Sequence, residues 1–519
     1  MRKIILSIVV LQMMFSTAFS QKIDTTLKNP GLKNKIFSAD SAHYAGYEFA
    51  KSSPFNIDEL MPAKFSKISL GTNYEKGHLM TAQNATKLTQ VYLATEGNTK
   101  LKSVNLWGAF KYERSVEDST MYNHQTRNNI SAPYYYGSPI NLNYERTLYN
   151  LKALAEKNLI KTNLPVGIGG NYRIGNHFST NDPRGSVDDF QLNMIATLGY
   201  TLFEKLKIGA AYRYGYGQER VNVAYKNQSL SQNTLKPEYN NYLVNGYGEA
   251  YVFNTNRTYQ NDQKRSGFET YLNFTKSAIG NFFFTYSYLE EKQKFVRRSG
   301  EGFADYNDYN LETSDFSLFW LKKIGNKNIS TSINYNNIDG KDLNYIYMAN
   351  NYLYNHNSLS FRTNLSITSS KGNLYNFYIS ANQNEEQKQD GLTGNNVKYN
   401  RLDWRAGFGY TKTTIQSNVW GVSLSGVYSV PLTNRFDVPG SNVGQFTQKV
   451  IYFDYIYNTS TRLGGSLSAD YSFEIFNQVQ AGFKASAAYL NKQKIVENTF
   501  PFAPGKDRFS SNISLNLYF

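Results

Sequence analysis

The stretch TRLGGSLSADYSF (461–473) alternates residue by residue. Leu463, Leu467, Ala469, Tyr471 and Phe473 interleave with Gly464, Ser466, Ser468, Asp470 and Ser472. The same period of two returns in QVQAGFKASAAY (478–489), RLDWRAGFGYT (401–411), SLSFRTNLSIT (358–368) and NLYNFYISANQN (373–384). Successive side chains on a strand point to opposite faces, so each segment has one apolar and one polar face. A helix would need apolar residues at i, i+3, i+4 and i+7, which these segments do not offer. They run for about 10–15 residues, well beyond the usual 5–6 of soluble sheets and enough for a tilted strand to cross a bilayer.

That pattern restricts the fold severely. Hydrocarbon gives backbone N–H and C=O groups no partners, so only helices and closed sheets span it. After the N-terminal leader the chain has no apolar run of helix-spanning length. Spanning then requires a sheet closed on itself, with apolar faces turned to lipid and Ser, Asn, Gly and charged residues enclosed.

The connections sort into two lengths. EGNTK (96–100), FEK (203–205), SAIGN (277–281), KIGNK (323–327), SKGN (370–373), TTIQ (413–416) and EIFNQ (474–478) are short. Between them lie the long polar stretches 115–141, 226–264, 298–310, 339–355, 389–397, 431–446 and 492–505. Outer-membrane barrels have short periplasmic turns and long outside loops. Strands are predicted near 66–75, 87–96, 103–114, 142–154, 163–174, 188–202, 205–225, 265–275 and 281–297. They continue at 311–322, 327–338, 356–369, 373–388, 398–412, 417–430, 447–473, 478–491 and 506–519. The expected fold is all-β: a transmembrane antiparallel up-and-down β-barrel of about 18 strands, with 16 also fitting. An even count leaves both ends of the barrel segment on the periplasmic side.

MRKIILSIVVLQMMFSTAFSQK opens the chain with Arg2 and Lys3, an apolar run from Ile4 and small residues before Gln21. This is the layout of a secretory signal peptide, expected over 1–20. Residues 21–65 show no alternation, suggest a short helix near 40–50, and are expected in the periplasm or the lumen. The barrel is expected over 66–519. Cys is absent, so neither disulfides nor a lipid-bearing Cys is available. Aromatics make up 15% of a chain with mean hydropathy −0.53, which suits lipid-facing girdles on an otherwise polar protein. The formal charge is +15, but the cations are scattered and form no run of 5–8. Nucleic acid is therefore not expected as a partner; outer-membrane lipids and an acidic glycolipid are.

The last strand, NISLNLYF (512–519), carries Ile513, Leu515, Leu517 and Phe519 on one face. It resembles the C-terminal signal by which outer-membrane proteins are recognised by the barrel-insertion machinery. The matching positions are Phe509, Ile513, Leu515, Leu517, Tyr518 and Phe519. Together with GNYRIGNHFSTNDPRG (170–185) before a strand, the layout of the whole chain resembles an uncharacterised family of Gram-negative outer-membrane barrels of about 500 residues. The resemblance implies an integral outer-membrane location and carries no activity with it.

Chemistry is sparse. G-x-S-x-G, H-E-x-x-H, P-loop and EF-hand patterns are all absent, so no enzyme and no cofactor are expected. Four of the five His, namely His78, His124, His177 and His356, fall in predicted outside loops, three of them near Met80, Met121 and Met348. Imidazole and thioether can ligate copper or haem iron, so these loops are a candidate metal-capture surface, although the spacing fits no ligand motif. Lys207, Arg213, Glu269, Arg362, Asp403, Arg405, Asp470 and Lys484 are predicted to face the lumen. They would either give a charged passage its selectivity or stiffen the wall as ion pairs. The expected function is a channel or accessory transport component for small polar or chelated nutrients, metal or haem included, beside a neighbouring uptake receptor or lipoprotein. The alternative is a closed barrel whose outside loops bind a partner or glycan.

Overall fold

The computed structural model describes residues 29–519 apart from 128, 130, 161–162, 204, 232–234, 276–277, 477 and 494–499; the expected leader lies outside these. The first strands in chain order are β1 Lys64–Gly77, β2 Lys87–Leu101, β3 Val104–Thr120, β4 Tyr134–Gly137, β5 Leu142–Asn158, β6 Pro165–Ser179 and β7 Arg184–Leu202. Next come β8 Leu206–Ala224, β9 Tyr242–Asn245, β10 Glu249–Val252, β11 Thr258–Phe274, β12 Asn281–Ser299, β13 Gly302–Ile324 and β14 Lys327–Asn344. The last are β15 Tyr352–Thr368, β16 Leu374–Asp390, β17 Asn395–Thr413, β18 Val419–Asp437, β19 Arg462–Phe476, β20 Val479–Lys492 and β21 Asp507–Tyr518. The short strands β4, β9 and β10 form a separate sheet, and the other eighteen close into one antiparallel barrel.

Closure is direct. β1 pairs with β2 on one side and with β21 on the other, where Ile68 faces Leu517 and Leu70 faces Leu515. The terminal run Ile513, Leu515, Leu517 is thus one side of the seam, and the strand count is eighteen. The outer face carries the apolar half of each alternation, with Leu70, Ile168, Tyr212, Trp404, Leu467 and Ile513 all exposed. No helix among the described residues is long and apolar enough to cross a membrane.

Two departures from the sequence reading have clear causes. Residues 447–473 are not one strand. A π turn, Thr447–Ile451, runs into a helix, Tyr452–Thr459, and β19 begins only at Arg462. Val450, Phe453 and Ile456 recur at steps of three and are buried, which is helical spacing. The strands also run further than the alternation does. β13 covers 23 residues where 311–322 was expected. Beyond the lipid belt the outer face turns polar, so the period of two vanishes while the ladder continues. Ion pairs occupy that outer band, such as Arg114–Glu145 at 2.9 Å and Lys398–Glu385 at 2.7 Å.

Short turns join the strands on the side of β1's start. Gly325 and Gly372, at φ 58° and 75°, sit where two of these hairpins need left-handed backbone. The long connections lie on the opposite side.

The N-terminal segment enters the lumen. α1 (Pro30–Ala39) begins with Pro at its first position and Asn29 accepting from Leu32 N. α2 (Ser41–Ala50) is capped by Asp40, whose side chain accepts from Ala42 N and His43 N. A 3-10 turn, Pro54–Asn56, and the single turn α3 (Ile57–Leu60) follow. α1 lies against β1, β20 and β21, α2 against β13, β14 and β15, and Pro54–Asn56 and α3 against β3, β5, β6 and β7. The segment therefore crosses the whole bore near the short-turn end. The helix suggested by the sequence near 40–50 is α2.

Candidate functional site

The plug is seated by a few apolar anchors and many polar ones. Phe55 is fully buried and stacks on Tyr271 with ring centroids 4.5 Å apart. It fits because β7 and β8 carry Gly199 and Gly209 beneath it; a Cβ at either would stand 2.3–2.4 Å from its ring. Tyr47, Ile57, Phe65, Trp107 and Leu154 form a second cluster, in which Trp107 Nε1 donates to Tyr47 Oη at 2.9 Å.

Around these anchors lie charges. Lys207 Nζ donates to Phe55 O at 2.7 Å and pairs with Glu156 at 2.7 Å and Glu59 at 3.0 Å. Lys35 of α1 meets Asp470 at 2.5 Å. Asp40 accepts from Asn328 Nδ2 at 2.8 Å, and Asn376 Nδ2 donates to Ala39 O at 2.9 Å. Burial works to raise the Asp40 carboxyl, but the hydrogen bond and charge of His43 outweigh it and hold the group below its ordinary value. Asp40 therefore stays ionised as both helix cap and wall contact.

The opposite mouth is covered by loops that fold inward. Residues 121–141, 225–257 and 438–461 contribute Tyr122, Tyr134, Tyr136, Val244, Phe446 and Ile451 to one aromatic-rich core shared with Tyr259, Phe295, Tyr309 and Tyr352 of the strands. The first loop descends furthest. Thr126 N donates to Glu219 at 3.1 Å, Arg127 meets Glu117 at 2.8 Å, and Asn129 Nδ2 donates to Gln293 at 2.9 Å. A second loop clamp comes from β4, where Tyr134 Oη donates to Asp342 at 2.8 Å.

Between the plug and the barrel wall lies a chamber of about 1030 Å³. Its floor is α1 and α2, and its wall is mostly β12 to β21. That wall is rich in Ser: Ser423 and Ser468 hydroxyls stand 2.7 Å apart, and Ser425 and Ser466 2.6 Å.

The eight residues expected to face the lumen divide by environment. Lys207 and Asp470 lock the plug, as above. Arg213 pairs with Glu269, which also accepts from Tyr271 Oη, and Arg213 Nη2 donates to Ser52 O of the plug at 3.3 Å. Asp403 pairs with Arg401 at 3.1 Å. Arg362 stacks over Tyr378 at 4.3 Å with Nε donating to Asn364 at 2.9 Å. Arg405 and Lys484 have no carboxylate within ion-pair distance among the described residues. The plug-side partners Lys35 and Glu59 are not legible in the sequence, because an irregular segment gives no period from which to infer what it faces; the buried Glu156 of β5 lies beyond the strand expected at 142–154.

The four His are not a loop cluster. His78 is exposed at the rim after β1, where its carbonyl accepts from Gly505 N at 2.9 Å. His124 is buried within the inward loop and meets Tyr144 Oη at 2.6 Å. His177 is on β6, packed against the other edge of the same environment with its ring 5.9 Å from Tyr144, and His356 is on β15 opposite Glu386. His177 and His356 lie on the polar extensions of β6 and β15, beyond the apolar alternation. Among the described residues no three His, Asp or Glu side chains form a group that could hold a metal.

Solved structures with a comparable barrel include the siderophore receptor PiuA from Acinetobacter baumannii. It is 9% identical, with 87% of this chain and 82% of that one covered and a TM-score of 0.41. The copper transporter OprC is 8% identical over 88% and 80%, with a TM-score of 0.41. The ferric citrate transporter FecA in its unliganded form is 9% identical over 88% and 79%, with a TM-score of 0.38. Likeness at that level says nothing about cargo. No curated protein matches the chain significantly. Residues 54–519, all of the barrel and the end of the plug, match one family throughout: the chain belongs to DUF6850, a family of unknown function.

Proposed function

We propose that the protein is a gated transport barrel of the Gram-negative outer membrane, with its short turns in the periplasm and its long loops outside. A small polar solute occupies the central chamber and passes when the N-terminal plug shifts. One observation carries this reading: a cavity of about 1030 Å³, lined largely by Ser, Asn and charged side chains, lies between a plug built from the chain's own N-terminal segment and the barrel wall. A barrel serving only as a scaffold has no need of a wet space in its bore. Barrels of this strand number are wide enough for an aqueous passage unless something fills them, and here the fillers are a short N-terminal segment at one end and inward-folded loops at the other.

Planar-bilayer conductance tests it. The full chain is expected to be nearly silent, and deletion of residues 29–61 to give discrete open steps as the lid loops swing out and back. A deletion variant that still runs as a folded, heat-modifiable barrel yet stays silent overturns the reading. That result would favour the second one, a surface-interaction barrel, which draws on the aromatic packing of the lid. Chelated metal or haem as cargo, and a neighbouring uptake receptor or lipoprotein as partner, belong to the first reading; co-purification from native membranes addresses the partner.

A further inference from the structure

The chamber's charges are unevenly neutralised. Its carboxylates are mostly engaged: Glu269 by Arg213, Asp470 by Lys35, and Glu48 by Lys51 at 2.7 Å. Asp315 accepts from Asn336 and from Ser287, at 3.4 Å for the latter. Four cations on the lumen face, Lys67, Arg362, Arg405 and Lys484, have no carboxylate within ion-pair distance among the described residues. Two of them are set side by side. Ser380 of β16 is in register with Arg362 of β15 on one side and with Arg405 of β17 on the other. All three point inward, since the alternate residues Phe361, Ile379 and Trp404 are exposed on the outer face.

We propose that the lumen face of β15–β17 beside the chamber is an oxyanion-binding subsite, anchored by Arg362, which lines the chamber, and by Arg405 in register two strands away, with Lys484 elsewhere on the chamber wall. This rests on the chamber being solute-accessible, as in the transport reading. Two guanidinium groups flanking one small Ser, without a counter-charge, repel each other; an oxyanion between them removes the repulsion and accepts planar paired hydrogen bonds. The nearby Ser hydroxyls supply further donors. Stacking of Arg362 on Tyr378 leaves part of its fork free while fixing its plane. The ligand class is a small solute bearing carboxylate or phosphate groups, within the size range of ordinary ligand pockets.

Equilibrium dialysis of the detergent-folded full chain against inorganic phosphate and against citrate at low ionic strength tests this. At least one is expected to bind and to be displaced by salt. Arg362→Gln combined with Arg405→Gln should weaken it by roughly tenfold or more, as loss of charge-assisted hydrogen bonds would. Arg→Lys at both positions should retain charge attraction but lose the planar pairing, giving an intermediate effect. Retention of one ligand only assigns the site to phosphate or to carboxylate chemistry. Failure of both to bind, or equal binding by the heat-modifiable Gln variant, overturns the subsite. Conductance is a separate readout: a silent plug-deleted barrel that still binds anion in this assay refutes transport and leaves the subsite standing.

Discussion

Lys207 of β8 and Glu59 of the plug stand 3.0 Å apart in the interior, with Glu156 of β5 closing the group at 2.7 Å from the same ammonium. This contact ties the N-terminal segment to the wall. Removing one partner of a buried ion pair leaves charge uncompensated, at a cost of about 3–5 kcal/mol. Lys207→Met should therefore loosen the plug and not the barrel. The expected outcome is frequent open steps in a bilayer, with heat-modifiability unchanged. Silence equal to that of the parent would show that the apolar anchors suffice.

Phe55 offers a steric counterpart. Gly209 leaves room for its ring, and a Cβ there would come within 2.3 Å of it. Gly209→Val should unseat Phe55 while keeping the strand ladder, because Val suits a strand. Limited proteolysis within residues 51–61 should become faster by several-fold. Unchanged cleavage would mean the ring finds another seat.

Acid should weaken the lid through His124. Burial pushes its imidazole down to about 3, and the Arg146 guanidinium adds to this. In the released loop the ring titrates near its ordinary 6.5, so between about 3 and 6.5 release takes up a proton. Lid stability from this group is complete above about 6.5 and falls as the pH drops. Asp454 acts in the opposite sense. Burial pushes it up to about 6, so its contribution is present below 3.8 and is lost as pH rises through 6. Amide exchange in residues 121–133, corrected for intrinsic rates, should be faster at pH 4.5 than at pH 7. His124→Phe should abolish or invert that difference, since the opposite response of Asp454 then remains; a variant with the same acid response would assign it to another group.

The seam can be tested from the lipid side. Ile513, near the middle of β21, is 60% exposed on the outer face. An Arg near the bilayer midplane costs about 2–4 kcal/mol in a barrel. Ile513→Arg should lower the temperature at which the folded band disappears on a gel, whereas Ser514→Asn, on the inner face, should shift it little. Equal behaviour of the two would argue against the assigned facing.

Much of this architecture is legible in the sequence. Segments such as 461–473 and 478–489 alternate because one face meets hydrocarbon and the other meets water, and that contrast is written directly into residue type. Where both faces meet polar surroundings, as in the first half of β13, the signal disappears although the strand persists. The inward facing of Arg362, Arg405 and Lys484 follows from parity alone. Whether each is neutralised does not, because Lys35 reaches Asp470 from 435 positions away along the chain.

By itself, the order of apolar and polar residues determined a closed sheet of sixteen or eighteen strands with an apolar exterior, since backbone hydrogen bonds in hydrocarbon leave no other choice; the count of eighteen came from the structure. Only the tertiary structure decided what the bore contains. The plug's placement, the descent of the loop that carries His124, and the pairing of Lys207 but not Arg405 all depend on contacts between distant segments. No local period encodes such contacts, because packing inside a wet lumen selects shape and charge at individual positions and repeats nothing along the chain.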